Sequence, residues 1–282
     1  MDVTTTVALP GWYRDPWGVA WWRWWDGAVW TGYTESWFVA PRPAPAHVPK
    51  PPIRAGWTAL LGMVTGLGCS IAAGAILIVA GADTNGAIVL LGSTACLWAG
   101  LLGACVIAVR RKGTGSLRDL GLLRFRWVDA ALGLGFGTAL VFVVGGLAQV
   151  IEVLAPEILP HGRGERSDPF TNDSGFAIAV IVLIAVVGAP FFEELFFRGL
   201  VQGTFVASRG VAVGVVLQAM LFGVVHMTFD GGWGNVGVFL MILVVGLALG
   251  VIRFGFKRLG PGMFTHATYN AIVVAVAFAT WR

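Results

Sequence analysis

Seven apolar runs, each about as long as a bilayer is thick, dominate the chain after residue 56. They cover roughly 57–82, 86–109, 129–154, 175–205, 210–229, 235–254 and 262–281. A helix crossing hydrocarbon needs about 20 mostly apolar residues. The pattern therefore predicts an all-α, polytopic membrane helix bundle of about seven spans. Between the second and third runs, residues 116–128 (SLRDLGLLRFRWV) mix Arg with Leu, Phe and Trp and read as an interfacial amphipathic stretch. No internal repeat points to an inverted-repeat transporter.

Residues 1–40 follow a different pattern. Eight of the 13 Trp fall here: Trp12, Trp17, Trp21, Trp22, Trp24, Trp25, Trp30 and Trp37. Turn signals at Asp15-Pro16, Gly18 and Asp26-Gly27 separate them, which predicts two or three very short strands. A β-type module this small is marginal alone and is expected to dock on a protein partner or on the membrane face. The plainer alternative is a structural aromatic cluster without activity. Residues 41–56, with Pro41, Pro43, Pro45, Pro49, Pro51 and Pro52, predict an extended, semi-rigid linker to the bundle at 57–282.

Composition supports the membrane reading. Charged residues are 12% and hydrophobic residues 57% of the 282, against about 25% charged in soluble domains. The net charge of +4 does not imply nucleic acid, because the bases sit at the ends of apolar runs. With the N terminus in the cytoplasm, sixteen of the 19 Lys and Arg fall on that side, leaving Arg163, Arg166 and Arg282 outside. The outer loop 155–173 is acidic, with Glu157, Glu165, Asp168 and Asp173. The expected location is the cell membrane, multi-pass. Cys69, Cys96 and Cys105 lie in apolar runs and imply no disulfide framework. The first apolar run begins near Trp57, so no cleavable signal peptide is expected.

Two acids break the apolar pattern. Glu193 and Glu194 lie inside the fourth run, where an ionised carboxylate costs roughly 2.5–3.5 kcal/mol on insertion scales. Arg198 follows Glu194 by four residues and shares its helical face, so those two are expected to pair. Glu193 is rotated away, free to be the working carboxylate. Of the four histidines, His47 and His161 are expected at the surface, whereas His226 and His266 lie in apolar runs. Asn270 stands four residues after His266, on the same face. If the fourth and fifth helices form a hairpin near Ser208–Gly210, Glu193 and His226 lie at similar heights, roughly 22–25 Å from its tip. His266 fits that depth only if the last helix starts below the lipid surface or is tilted. A carboxylate and an imidazole around one water can activate it, and a second imidazole with an amide can hold the resulting oxyanion. Zinc on Glu193, His226 and His266 is the alternative use of the same set, although no HExxH motif is present.

These residues resemble the CAAX-protease and bacteriocin-processing family of intramembrane endopeptidases. Its motifs EExxxR, FxxxH and HxxxN are matched by Glu193-Glu194…Arg198, Phe222…His226 and His266…Asn270, with FFEELFFRGLVQG as the extended form. The likeness covers about residues 115–282. It implies that Glu193 activates water with His226, that His266 and Asn270 hold the oxyanion, and that Glu194, Arg198 and Phe222 support them. A glutamate-dependent mechanism without a cofactor is favoured over zinc, and a membrane-associated or lipid-modified peptide is the implied substrate. The Gly-rich segment 228–235 is a mild departure expected to shape substrate entry. Residues 1–40, through WYRDP, WWDG and WT, resemble a short Trp-rich domain of actinobacterial membrane proteins. The rival readings are a catalytically weak scaffold or bacteriocin-immunity protein using the same pocket, and a transporter with Glu193 as proton site.

Overall fold

In the computed structural model, the described residues are 8–35, 55–84, 86–159, 175–228 and 231–280. The linker 41–54, most of the acidic loop, Trp37, His47 and His161 lie outside them. The chain divides into two compact units, Met1–Pro51 and Pro52–Arg282.

In the first unit, strands β1 (Gly11–Arg14), β2 (Trp22–Trp25) and β3 (Trp30–Glu35) form an antiparallel meander in the order β1-β2-β3. Asp15 organises it. Its carboxylate accepts hydrogen bonds from the backbone N–H groups of Trp17, Val19 and Ala20 and from Arg23 Nε at 2.9 Å. Arg23 in turn donates to Thr31 O and lies 4.6 Å over the Trp17 ring. On that face Tyr13, Trp17 and Trp25 meet Trp30 edge-on. The register puts Trp12, Trp22 and Trp24 on the other face, where Trp12 and Trp22 stay exposed. A polar hub among edge-packed rings thus replaces the apolar core that so short a unit cannot assemble.

The second unit is the bundle. Its helices are α1 (Gly56–Val79), α2 (Ala87–Lys112), α3 (Trp127–Leu154), α4 (Gly175–Arg209), α5 (Val211–Val224), α6 (Gly234–Phe256) and α7 (Gly260–Thr280). Six are long and apolar enough to cross a membrane, and the fifth apolar run forms the 14-residue α5. The fold is that of a multi-pass membrane protein, with lipid-facing Leu, Ile, Val and Phe exposed along the helices. Helix α1 packs closely on α2 because a β-carbon on Gly100 would sit 2.7 Å from the Gly66 nitrogen. The α4–α5 hairpin turns at Gly210, whose φ of +83° favours glycine, as the sequence predicts.

The interfacial stretch 116–128 begins with the 3₁₀ turn Leu117–Leu120 and continues without regular secondary structure to α3. Leu120 is buried, and Gly121 O accepts the Leu259 N–H at 2.9 Å, tying this stretch to the α6–α7 connection. Asp129, fully buried in the first turn of α3, makes a second tie. It accepts the Arg126 backbone N–H and pairs with Arg258.

Candidate active site

Helix α4 is not a regular α-helix. Residues Leu183–Gly188 and Glu194–Val201 are wound as π-helix on either side of Ala189–Glu193. Pro190 supplies no N–H within this helix, and π segments of this kind recur at functional sites. The widened winding leaves Ala185 O accepting from Asn270 Nδ2 at 2.7 Å. Asn270 thereby locks α7 onto α4, and one of its two amide hydrogens stays uncommitted.

Glu194 and Arg198 pair as the spacing predicts, Arg198 Nη1 lying 3.0 Å from Glu194 Oε1 with both side chains fully buried. Arg198 also lies 4.1 Å over the Phe222 ring of α5. Phe222 touches both histidines edge-on, with ring centroids 4.5 Å from His226 and 6.0 Å from His266. One aromatic ring thus gathers the guanidinium and both imidazoles, placing α4, α5 and α7 at a common depth.

The depth of His266 has a simple cause. Gly260, Pro261, Gly262 and Met263, the first turn of α7, are all buried, so this helix starts inside the bundle. A β-carbon on Gly262 would lie 3.0 Å from Glu194 Oε2, so the glycine allows the carboxylate to sit against the turn.

Chemistry fixes the imidazoles. His226 Nδ1 lies 2.7 Å from Phe222 O. A carbonyl can only accept, so Nδ1 carries the proton and Nε2 of the neutral ring presents its lone pair. His266 Nδ1 lies 3.2 Å from Glu194 Oε1 and donates to that carboxylate. His266 Nε2 then points to Glu193, 4.0 Å from Oε2.

Glu193 is the less committed acid. Its side chain keeps 17% exposure, against none for Glu194, and although Oε2 of both acids is buried without a hydrogen bond from any described residue, Oε1 of Glu194 is held by Arg198 and His266. A 4.0 Å gap is too long for a direct hydrogen bond, yet one oxygen atom bonded to both groups spans it. The sequence pairs Glu193 with His226. In the structure the imidazole next to Glu193 is His266, and His226 makes no ion pair with a carboxylate among the described residues. Among those residues, no group of three or more His, Cys, Asp or Glu is gathered so as to hold a metal ion, so Glu193, His226 and His266 are not arranged as such a group.

Beside the acids an apolar cavity of about 340 Å³ is lined by Phe125, Val186, Pro190 and Phe191 from one side and Met263, Phe264 and Ala267 from the other. Pro190 lies three residues before Glu193 and Ala267 follows His266, so the cavity and the polar cluster draw on the same stretches of α4 and α7.

Sequence reasoning missed a polar layer below the site. Gln218 Nε2 donates to Gly246 O at 2.9 Å, and Gln202 Nε2 to Gly250 O at 2.9 Å. Both glutamines are buried. Gln218 was visible as an amide inside the apolar run VLQAM, by the same rule that exposes Glu193.

No curated protein and no solved structure matches the chain. Residues 175–272, which contribute all three motifs, match the family model described as Type II CAAX prenyl endopeptidase Rce1-like.

Proposed function

We propose that this chain is an intramembrane endopeptidase that hydrolyses peptide bonds of membrane-associated or lipid-modified substrates through a glutamate-activated water. The observation that carries the reading is the buried, unbonded Glu193 Oε2 facing His266 Nε2 at 4.0 Å, while Glu194 is committed to Arg198 and His266. The match to the CAAX endopeptidase family supports the same reaction class.

In this reading Glu193, assisted by the lone pair on His226 Nε2, takes a proton from water. The hydroxide adds to the scissile carbonyl carbon. His266 acts as an imidazolium, with Nδ1–H held by Glu194 and a second proton on Nε2; that Nε2–H and the second amide hydrogen of Asn270 donate to the oxyanion. Glu193 then passes its proton to the departing amide nitrogen, the C–N bond breaks, and the new carboxylic acid gives its remaining proton to the amine, so that a carboxylate and an ammonium group leave. Glu194 holds His266 in orientation, Arg198 holds Glu194, and Phe222 packs against the rings. The apolar cavity receives a lipid-like or apolar group of the substrate. The basic end of the bundle faces the cytoplasm under the positive-inside rule, which places the N-terminal module there, available to a protein partner.

The test is cleavage of quenched peptides, with and without a lipid group, by purified wild type and Glu193→Gln in detergent. Turnover by wild type and its loss in Glu193→Gln at unchanged helicity is the expected result. Equal cleavage by both proteins refutes the assignment. Metal analysis of the same active sample decides between the glutamate mechanism, which needs no stoichiometric zinc, and zinc held by Glu193, His226 and His266.

A further inference from the structure

The connection between α2 and α3 carries a surface that the proposed chemistry does not use. Residues Leu123, Arg124, Phe125, Arg126, Trp127 and Val128 are all exposed. Trp127 is 93% exposed. The strip is nevertheless held firmly, because each end is buried. Leu120 and Gly121 anchor one end through Leu259 N–H and Arg253 Nη2, and Asp129 anchors the other. Leu123, Phe125 and Trp127 alternate along the chain with Arg124 and Arg126, so exposed apolar and cationic side chains stand next to one another.

The charges at this strip do not balance. Asp129 binds the Arg126 backbone N–H with one oxygen and the Arg258 guanidinium with the other. Its single charge thus serves Arg258, while the guanidinium of Arg126 is brought close beside it. Burial, and then the charge of Arg126, push the Arg258 guanidinium below its usual pKa. Neither Arg124 nor Arg126 pairs with a carboxylate among the described residues. Arg110 and Arg111, in the last turn of α2, lie just before the strip in the chain. A ligand that covers this strip must bring negative charge and hydrocarbon together.

We infer that residues 123–127 form a docking strip for anionic phospholipid, with the phosphate at Arg124 and Arg126 and the acyl region against Leu123, Phe125 and Trp127. Free phosphate satisfies only half of this surface, which is why a lipid is the occupant. Phe125 also lines the apolar cavity and meets Phe264 edge-on, so a lipid seated on the strip lies at the mouth of the proposed substrate site. The inference itself does not rest on the protease reading.

The test is native mass spectrometry of the full chain in detergent, titrated separately with phosphatidylglycerol, phosphatidylcholine and inorganic phosphate. Wild type should retain phosphatidylglycerol in preference to phosphatidylcholine, and phosphate should not compete it off. A basic residue at an anionic surface changes affinity by about fivefold. Arg124→Gln should therefore weaken phosphatidylglycerol by about that factor, and Arg124→Gln/Arg126→Gln by more. Phosphatidylcholine binding should be unchanged, and the Lys/Lys pair should restore most of the loss. Arg124 makes no contact on which folding depends, so the single variant stays informative if the double variant does not fold. Equal retention of the two lipids, unchanged phosphatidylglycerol binding in Arg124→Gln, or displacement of the lipid by phosphate would each overturn the inference.

Discussion

Arg198→Met removes a buried positive charge while keeping most of the apolar stem. Arg198 and Glu194 are both fully buried and 3.0 Å apart, and the guanidinium also covers the Phe222 ring at 4.1 Å. Taking away one partner leaves the Glu194 carboxylate in a dry interior, with His266 as its side-chain hydrogen-bond partner among the described residues and Arg253 at longer range. Breaking a buried pair from one side costs about 3–5 kcal/mol, because it leaves an uncompensated buried charge. At 1.4 kcal/mol per tenfold, the folded-to-unfolded ratio should fall by about two to three and a half orders of magnitude. Glu194→Gln/Arg198→Met has no stranded charge, so its loss should be smaller than the sum of the two single losses, with a coupling of about 2 kcal/mol. Reversible unfolding in mixed detergent, followed by circular dichroism, gives all four corners of the cycle. A cost below about 1 kcal/mol for Arg198→Met, or strict additivity, would refute the claim that this pair holds the site together.

The remaining predictions use the same protein. Asp15, bound chiefly to Arg23, has its pKa lowered from 3.8 to about 2; this stabilisation is complete above the ordinary value and is lost as pH falls through about 2. Trp fluorescence of the N-terminal unit should therefore change over that window in wild type and not in Asp15→Asn. Gly100→Ala drives a methyl into the Gly66 backbone of α1 and should cost about 1–3 kcal/mol in the same unfolding assay. Asn270→Ala strips Ala185 O of its donor; a loss of about 1–3 kcal/mol is expected, together with lower turnover if the second amide hydrogen serves the oxyanion.

The helical membrane architecture was legible because lipid imposes it: a run such as 235–254 has no other way to satisfy its backbone. The same physics made Glu193, Glu194, His226 and His266 conspicuous, since each stands in a setting where ionisable groups are costly. The Glu194–Arg198 pair followed from helical spacing alone. What spacing could not give was which imidazole stands beside which acid. That depends on a packed contact, with Phe222 seated between Arg198, His226 and His266, and on a buried helix start that lets Gly262 lie against Glu194. The π winding of α4 was equally hidden, because periodicity reads the apolar face and not the hydrogen-bond ladder. In the N-terminal unit, turn residues announced the strands, whereas the role of Asp15 as hub depends on a loop geometry that no pattern of Trp and Gly encodes.

Helix α5 has 14 residues, about 21 Å at 1.5 Å per residue, against about 30 Å of hydrocarbon. A rod that short stops partway through the bilayer, and His226 sits at its blunt end. Peptide groups beyond such an end cannot face acyl chains. Part of the demand is met internally, because the Asn235 amide closes the loop on both the N–H and the C=O of Thr228. The remainder must be covered by protein or reached by water, so the half-length helix obliges the bundle to shelter polar backbone beside the half-buried His226 instead of leaving it against acyl chains.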